Sequence, residues 1–123
     1  MDVDASPSGR RQTGTEVERL AEEYLIRQGL TPCDRNQHFR SGEIDLIMWD
    51  QHILVFIEVR YRQQEDFLAA AESITSAKQR KIIRTASRYL QQQFGNNPPA
   101  CRFDVVVGNG IPPTLNWIKA AFM

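Results

Sequence analysis

The stretch GEIDLIMWDQHILVFIEVRYR, residues 42–62, decides how this chain folds. Two runs, residues 43–49 and 53–60, are rich in Ile, Leu, Val, Phe and Trp, and Asp50-Gln51-His52 lies between them. That pattern predicts a β-hairpin, although the Asn-Gly or Asp-Gly pair that would fix its register is missing. With Gln51-His52 as the loop, Asp50 faces Ile53, Asp45 faces Glu58 and Glu43 faces Arg60. Side chains alternate between the two faces of a strand, so Ile44, Leu46, Met48, Ile53, Val55, Ile57 and Val59 share one aliphatic face. The other face is apolar near the turn (Ile47, Trp49, Leu54, Phe56) and charged at its far end (Glu43, Asp45, Glu58, Arg60). A sheet that is apolar on both faces must be covered on both, which predicts an α/β sandwich.

The acids are the anomaly in this pattern. Residues directly opposed across strands have Cβ atoms about 5 Å apart, and like charges placed so are destabilising. Two carboxylates converging in a partly desolvated place suit a hard divalent cation with oxygen ligands, such as Mg²⁺. The bland alternative is a set of ion pairs with Arg60 and Arg62 at an exposed strand end. Register separates the two, because a slip of one residue puts Asp45 and Glu58 on opposite faces.

Asp45, twelve intervening residues and then Glu58-Val59-Arg60 resembles the PD-(D/E)xK signature of restriction-endonuclease-like nucleases. The closer resemblance is to the bacterial YraN family of small endonuclease-like proteins, themselves similar to archaeal Holliday-junction resolvases. It extends from Gly14 to Phe122 in ordered blocks. Gly14, Glu18, Ala21, Tyr24 and Leu25 come first, followed by residues 42–47 (GEIDLI). Residues 55–60 (VFIEVR) with Arg62, then Lys78, then residues 102–106 (RFDVV) complete the set. The resemblance implies a central mixed β-sheet flanked by helices, in the order α-β-β-β-α-β. It further implies Asp45 and Glu58 as metal ligands, with Glu18 as a third acid reaching in from the first helix. Residue 60 would hold positive charge beside the scissile phosphate. Here the chain departs from the superfamily, with Arg60 where most of these nucleases carry Lys. Arginine binds phosphate as a rigid fork and cannot be deprotonated in a protein, so it cannot act as a base.

Composition sets outer bounds. At 123 residues the chain is read as one domain over residues 13–123, preceded by a mobile polar tail over residues 1–12. That is small for an enzyme working alone, and a homodimer is expected. Fifteen Lys and Arg balance fifteen Asp and Glu, so any nucleic-acid signal must be local. Cys33 and Cys101 have neither metal-ligand spacing nor a disulfide framework, and no hydrophobic signal region follows Met1. The expected compartment is the cytoplasm, and no membrane association is expected, since no run approaches the roughly 20 apolar residues of a span.

Residues 13–28 read as the first helix, ended by Gly29, with Val17, Leu20, Ala21, Tyr24 and Leu25 as its apolar stripe. Glu18 has a second reading, as the partner of Thr15 in a capping box. A first strand is expected within residues 30–39, interrupted by Pro32. Residues 63–71 form a loop leading into a short helical piece, with a polar tip near the site. The longest helix spans residues 75–94. A strand follows over residues 102–107, and residues 115–122 are a short strand or helix with Trp117 packed.

The long helix holds the local basic signal. At about 100° per residue, Arg80, Lys81, Arg84 and Arg88 fall in one sector, opposite Ile82, Ile83, Ala86, Tyr89 and Leu90. No acid occurs between Glu72 and Asp104. An ordinary solvated face is the competing reading. With Lys78, Arg40, Arg60 and Arg62, these residues make a groove that would track a nucleic-acid backbone, and the lack of interleaved aromatics favours backbone contact over base stacking. His38 and His52 read as exposed or structural, and Asp104 as an ion-pair partner of an Arg.

The expected function is a Mg²⁺- or Mn²⁺-dependent endonuclease acting on DNA, branched DNA included. Asp45, Glu58 and Glu18 would hold the metal, and Arg60 would stabilise phosphoryl charge. One rival is a non-catalytic nucleic-acid-binding module on the same fold. Another is an accessory protein of a DNA-processing complex, docking through its apolar residues 115–123.

Overall fold

The computed structural model describes residues 14–63 and 67–122. The tail expected over residues 1–12, and the tip of the loop after the hairpin, lie outside the described residues. Elements run α1 (Gly14–Arg27), β1 (Thr31–Phe39), β2 (Gly42–Asp50), β3 (Ile53–Arg62), α2 (Phe67–Glu72), α3 (Ser76–Phe94), β4 (Cys101–Asn109) and β5 (Thr114–Phe122). The expected α-β-β-β-α-β order is present as α1-β1-β2-β3-α3-β4, with α2 and β5 added to it.

The five strands form one mixed sheet in sequence order. Strands β1, β2 and β3 are an antiparallel meander, β3 and β4 run parallel through the helical crossover, and β5 returns antiparallel to β4. The hairpin register is the expected one. Asp50 pairs with Ile53 and Leu46 with Ile57, and Gln51 takes a positive φ in the turn.

Helices cover both faces, as the two-sided apolar pattern demands. Against α1, the fully buried Ala21 and Leu25 pack with Leu46, Met48, Val55, Ile57 and Val106. Against α3, the residues Ile82, Ala86 and Tyr89 pack with Ile47, Leu54, Phe56 and Phe103. Aromatic rings tie that second layer together: Phe56 meets Tyr89 edge-on and stacks on Phe103, which stacks on Phe122. One residue changes sides. Ile44, expected with Leu46 and Met48, packs in the α3 layer. The β2–β3 ladder has ended at Leu46–Ile57 by that point, while β1 still pairs with Ile44 through Gln37.

Local chemistry sets the helix ends. Thr75 caps α3 by accepting the Lys78 N–H, and Gly95 closes it with a positive φ. Helix α1 begins at Gly14, so Thr15 lies inside the helix instead of at its cap. Residues 115–122 are a strand. Its residues Leu115, Trp117, Ile118 and Phe122 pack into the layers, and Trp117 meets Tyr24 of α1 edge-on.

Candidate active site

The site forms where β2 and β3 stop pairing. Past Leu46–Ile57, Asp45 does what the ladder no longer does, its Oδ2 accepting the Val59 backbone N–H at 2.9 Å. Glu58, the next residue after the last paired position on β3, lies alongside it, and the two carboxyls share a hydrogen bond. Glu18 reaches in from α1 and hydrogen-bonds Asp45 as well. The Glu18 carboxyl is directed at Asp45, and Thr15 lies inside α1, so the two do not form a capping box.

These carboxyls are strained in charge. Burial pushes Glu58 up to about 8, and the neighbouring Asp45 charge adds to the effect against the pull of Arg60. Glu18 is pushed up to about 7, by burial first and then by Asp45. Burial raises Asp45 too, but the Val59 N–H opposes the shift. Asp45 is thus the member of the trio best suited to bear negative charge, with protons held on its neighbours.

The positive charges come from two elements. Arg60 Nη2 pairs with Glu58 Oε2 at 3.0 Å, while its buried Nε finds no partner among the described residues. A cleft of about 240 Å³ opens over the trio's β-strand members, lined by Gly42, Glu43, Asp45, Glu58, Arg60, Lys78, Lys81 and Ile82. Its wall is fixed by the β1–β2 turn, where Ser41 and Thr85 hydroxyls hydrogen-bond at 2.9 Å. Gly42 makes that approach possible: its φ is +151°, and a Cβ there would stand 3.2 Å from Thr85 Oγ1.

The remaining expected residues are placed as follows. Arg40, Arg62, Arg80, Arg84 and Arg88 are exposed and are not among the residues lining the cleft. Arg62 turns back to bond the Tyr61 carbonyl at 2.9 Å. His38 is exposed and pairs with Glu43 at 3.1 Å. Asp104 is fully buried away from the cleft, accepting hydrogen bonds from Arg102, from the Trp117 indole and from the Ala120 N–H, so it is the expected ion-pair partner. Gly42, Glu43 and Ile82 line the cleft in addition to the expected site residues. Glu43 was detectable as the acid two places before Asp45 on the same strand, whereas Ile82 needed the packing of α3 on β2.

The donor set fits a hard cation of modest demand. Among the described residues no three His, Cys, Asp or Glu side chains form a closed ligand group. Mg²⁺, however, is commonly held by one or two carboxylates, with waters and phosphate oxygens in its other positions. Asp45 and Glu58 match that need, with Glu18 behind Asp45.

The molecule thus has a three-layered α/β/α fold, with a mixed acidic and basic cleft at one end of strands β2 and β3. A sequence profile for the family described as "Uncharacterised protein family UPF0102" matches residues 17–107. A UPF0102 protein of Saccharophagus degradans is 48% identical over 113 residues, spanning 90% of this chain and 92% of the relative. One from Xylella fastidiosa is 46% identical over 113 residues, spanning 92% and 93%, and one from Vibrio parahaemolyticus is 45% identical over 112 residues, spanning 91% and 93%. The chain belongs to the UPF0102 family, in agreement with the YraN resemblance. Among solved structures it is similar to a repair endonuclease from Pyrococcus abyssi, with a TM-score of 0.44 and 20% identity, covering 80% of this chain and 39% of that one. No helix among the described residues is long and apolar enough to cross a membrane.

Proposed function

We propose that the protein is a divalent-metal-dependent endonuclease that hydrolyses phosphodiester bonds in DNA, branched DNA included, on a restriction-endonuclease-like fold. The observation that carries this reading is the meeting of Asp45 and Glu58, from adjacent strands, with Lys78 and Lys81 in one cleft. Carboxyls crowded in a partly buried place either keep their protons or share a cation. Asp45 and Glu58 are the residues that would hold Mg²⁺ or Mn²⁺, with Glu18 steadying Asp45. A bound cation of this kind lowers the pKa of water and polarises a phosphoryl oxygen. The hydrolysis is in-line: a water oxygen bonds to phosphorus as the bond to the leaving oxygen breaks.

The exposed bases of α3 support the choice of a polyanionic substrate. Lys78, Arg80, Lys81, Arg84 and Arg88 form no salt bridge among the described residues. Together with Arg40 and Arg62 they would contact the sugar-phosphate backbone. The cytoplasm is the compartment this reading implies, where the free thiols of Cys33 and Cys101 stay reduced.

The test is cleavage of labelled linear, flap and four-way-junction DNA in Mg²⁺ or Mn²⁺, beside an Asp45→Ala, Glu58→Ala double variant. Metal-dependent cutting that disappears in the variant is the expected result. Cutting that survives in it would sink the assignment. A second reading, a DNA-binding module without turnover, draws on the Arg60–Glu58 pair, since arginine cannot serve as a base. Calorimetric titration with Mg²⁺ separates the two, because a pure binding module need not take up metal.

A further inference from the structure

We propose that Lys78 and Lys81 of α3, and not Arg60 of β3, meet the scissile phosphate, while Arg60 is a positioning residue that holds the Glu58 carboxylate. The inference rests on the nuclease reading and divides the roles within it.

The argument starts from what each cation already does. Arg60 lies two residues after Glu58 on one strand, so both side chains leave the same face of the sheet. Its Nη2 is 3.0 Å from Glu58 Oε2, and the pair is mostly buried, with side-chain exposures of 21% and 14%. Once Glu58 gives up its proton to serve as a carboxylate ligand, moving that guanidinium to a phosphate would strip the counter-charge beside it in a desolvated place, which is unfavourable. On β3, Arg60 is also fixed between neighbours, since the parallel ladder runs through it to Val107.

Lys78 and Lys81 are in the opposite situation. Both line the cleft that contains Asp45 and Glu58, both are exposed, and neither forms a salt bridge among the described residues. Lys78 lies one turn before the cleft-lining Ile82 and three residues before Lys81, so the packing of Ile82 on the sheet sets this first part of α3 beside the cleft. A lysine ammonium is a compact charge on a flexible stem, able to follow a phosphate as charge builds on its oxygens. The cleft thus has movable ammonium groups on α3 and a fixed guanidinium on β3.

The experiment compares the full-length protein with a Lys78→Met, Lys81→Met double variant, a Lys78→Arg, Lys81→Arg double variant, and Arg60→Met. Single-turnover cleavage is read at saturating DNA, and Mg²⁺ affinity is read by calorimetry without DNA. In the double methionine variant the expected rate falls by about 100-fold or more, on the scale of removing one preorganised charge-stabilising group, with Mg²⁺ affinity unchanged. The double arginine variant recovers most of the rate. Arg60→Met shifts the Mg²⁺ dissociation constant by about tenfold or more, as loss of a ligand's supporting partner does. Wild-type cutting by the double methionine variant overturns the inference and leaves the nuclease reading standing. So does an Arg60→Met protein that loses its rate while its Mg²⁺ affinity is unchanged. Absence of cutting by the wild-type protein overturns both. The lysines are exposed, so their variants keep the fold and decide the assignment even where Arg60→Met unfolds.

Discussion

Single residues at the cleft make stability depend on pH in a direction set by their environment. Glu58 titrates at about 8 in the folded protein against an ordinary value of 4.5. The folded state therefore binds its proton more tightly than the unfolded chain does. The associated stability is fully present below about 4.5 and is lost as the pH rises through about 8. The melting temperature should accordingly fall between pH 5 and pH 8, and Glu58→Gln, which cannot ionise, should flatten that fall. Equal slopes in the two proteins would show that Glu58 is not held neutral. Millimolar Mg²⁺ should raise the melting temperature at the alkaline end, where the carboxylates are free to bind it. A contrasting case is Asp104, whose carboxylate sits fully buried among Arg102, Trp117 and Ala120. Asp104→Asn should cost about 1 to 3 kcal/mol for the weakened buried hydrogen bonds, with Arg102 keeping its pair with Asp50, read by urea unfolding. Metal affinity should be unaffected, because Asp104 lies outside the cleft. At this scale the sequence was informative. Acids interrupting apolar strands are rare enough to be conspicuous, and Asp45, Glu58 and the Arg60 departure could be picked out directly. The choice between two roles for Glu18 was not open to the same reading, since it depends on where α1 lands on the sheet.

The elements show why some structure was legible and some was not. Strict alternation and the Gln51-His52 loop fixed the β2–β3 register, and the apolar stripes of α1 and α3 fixed which helix faces are buried. Alternation misled at Ile44, which lies beyond the last β2–β3 pair at Leu46 and packs in the α3 layer. It was ambiguous in β5, where the register against β4 shifts between Phe103 and Val105 and Ala120 takes a positive φ. The bulge is held by the Ala120 N–H on Asp104, a contact sixteen residues away in the chain. For α3, the helix and its basic face were legible, but which bases enter the cleft was not, because that follows from the packing of Ile82 against β2 residues. The structure splits the bases into Lys78 and Lys81 at the cleft and Arg84 and Arg88 further along. Arg84→Gln with Arg88→Gln should therefore weaken duplex DNA binding and lower the slope of log affinity against log salt by about 1.8, at roughly 0.9 per phosphate contact. Cleavage at saturating DNA should remain near the wild-type rate. An unchanged salt slope would return that face to ordinary solvated surface.

On the scale of the whole molecule, the question is whether any apolar surface is left over for a partner. The apolar residues 115–123 look from sequence alone like a docking tail. In the folded chain, β5 instead completes the sheet. Trp117 packs against Tyr24 and bonds the buried Asp104, Ile118 joins the layer under α2, and Phe122 stacks on Phe103. The segment thus bridges both layers and satisfies one of the few buried charges. Removing residues 117–123 should abolish the cooperative thermal transition, since it uncovers Val105 and Val106 and strips two donors from Asp104. Trp117→Phe is the gentler probe. It keeps a ring against Tyr24 but deletes the indole N–H, and the cost should be about 1 to 3 kcal/mol for the acceptor left short of a partner. A truncated protein that still melts cooperatively, and has lost only an interaction with another protein, would restore the docking role. An unfolded one places β5 within the folding unit, so that the cleft on β2 and β3 depends on a strand that contributes no residue to it.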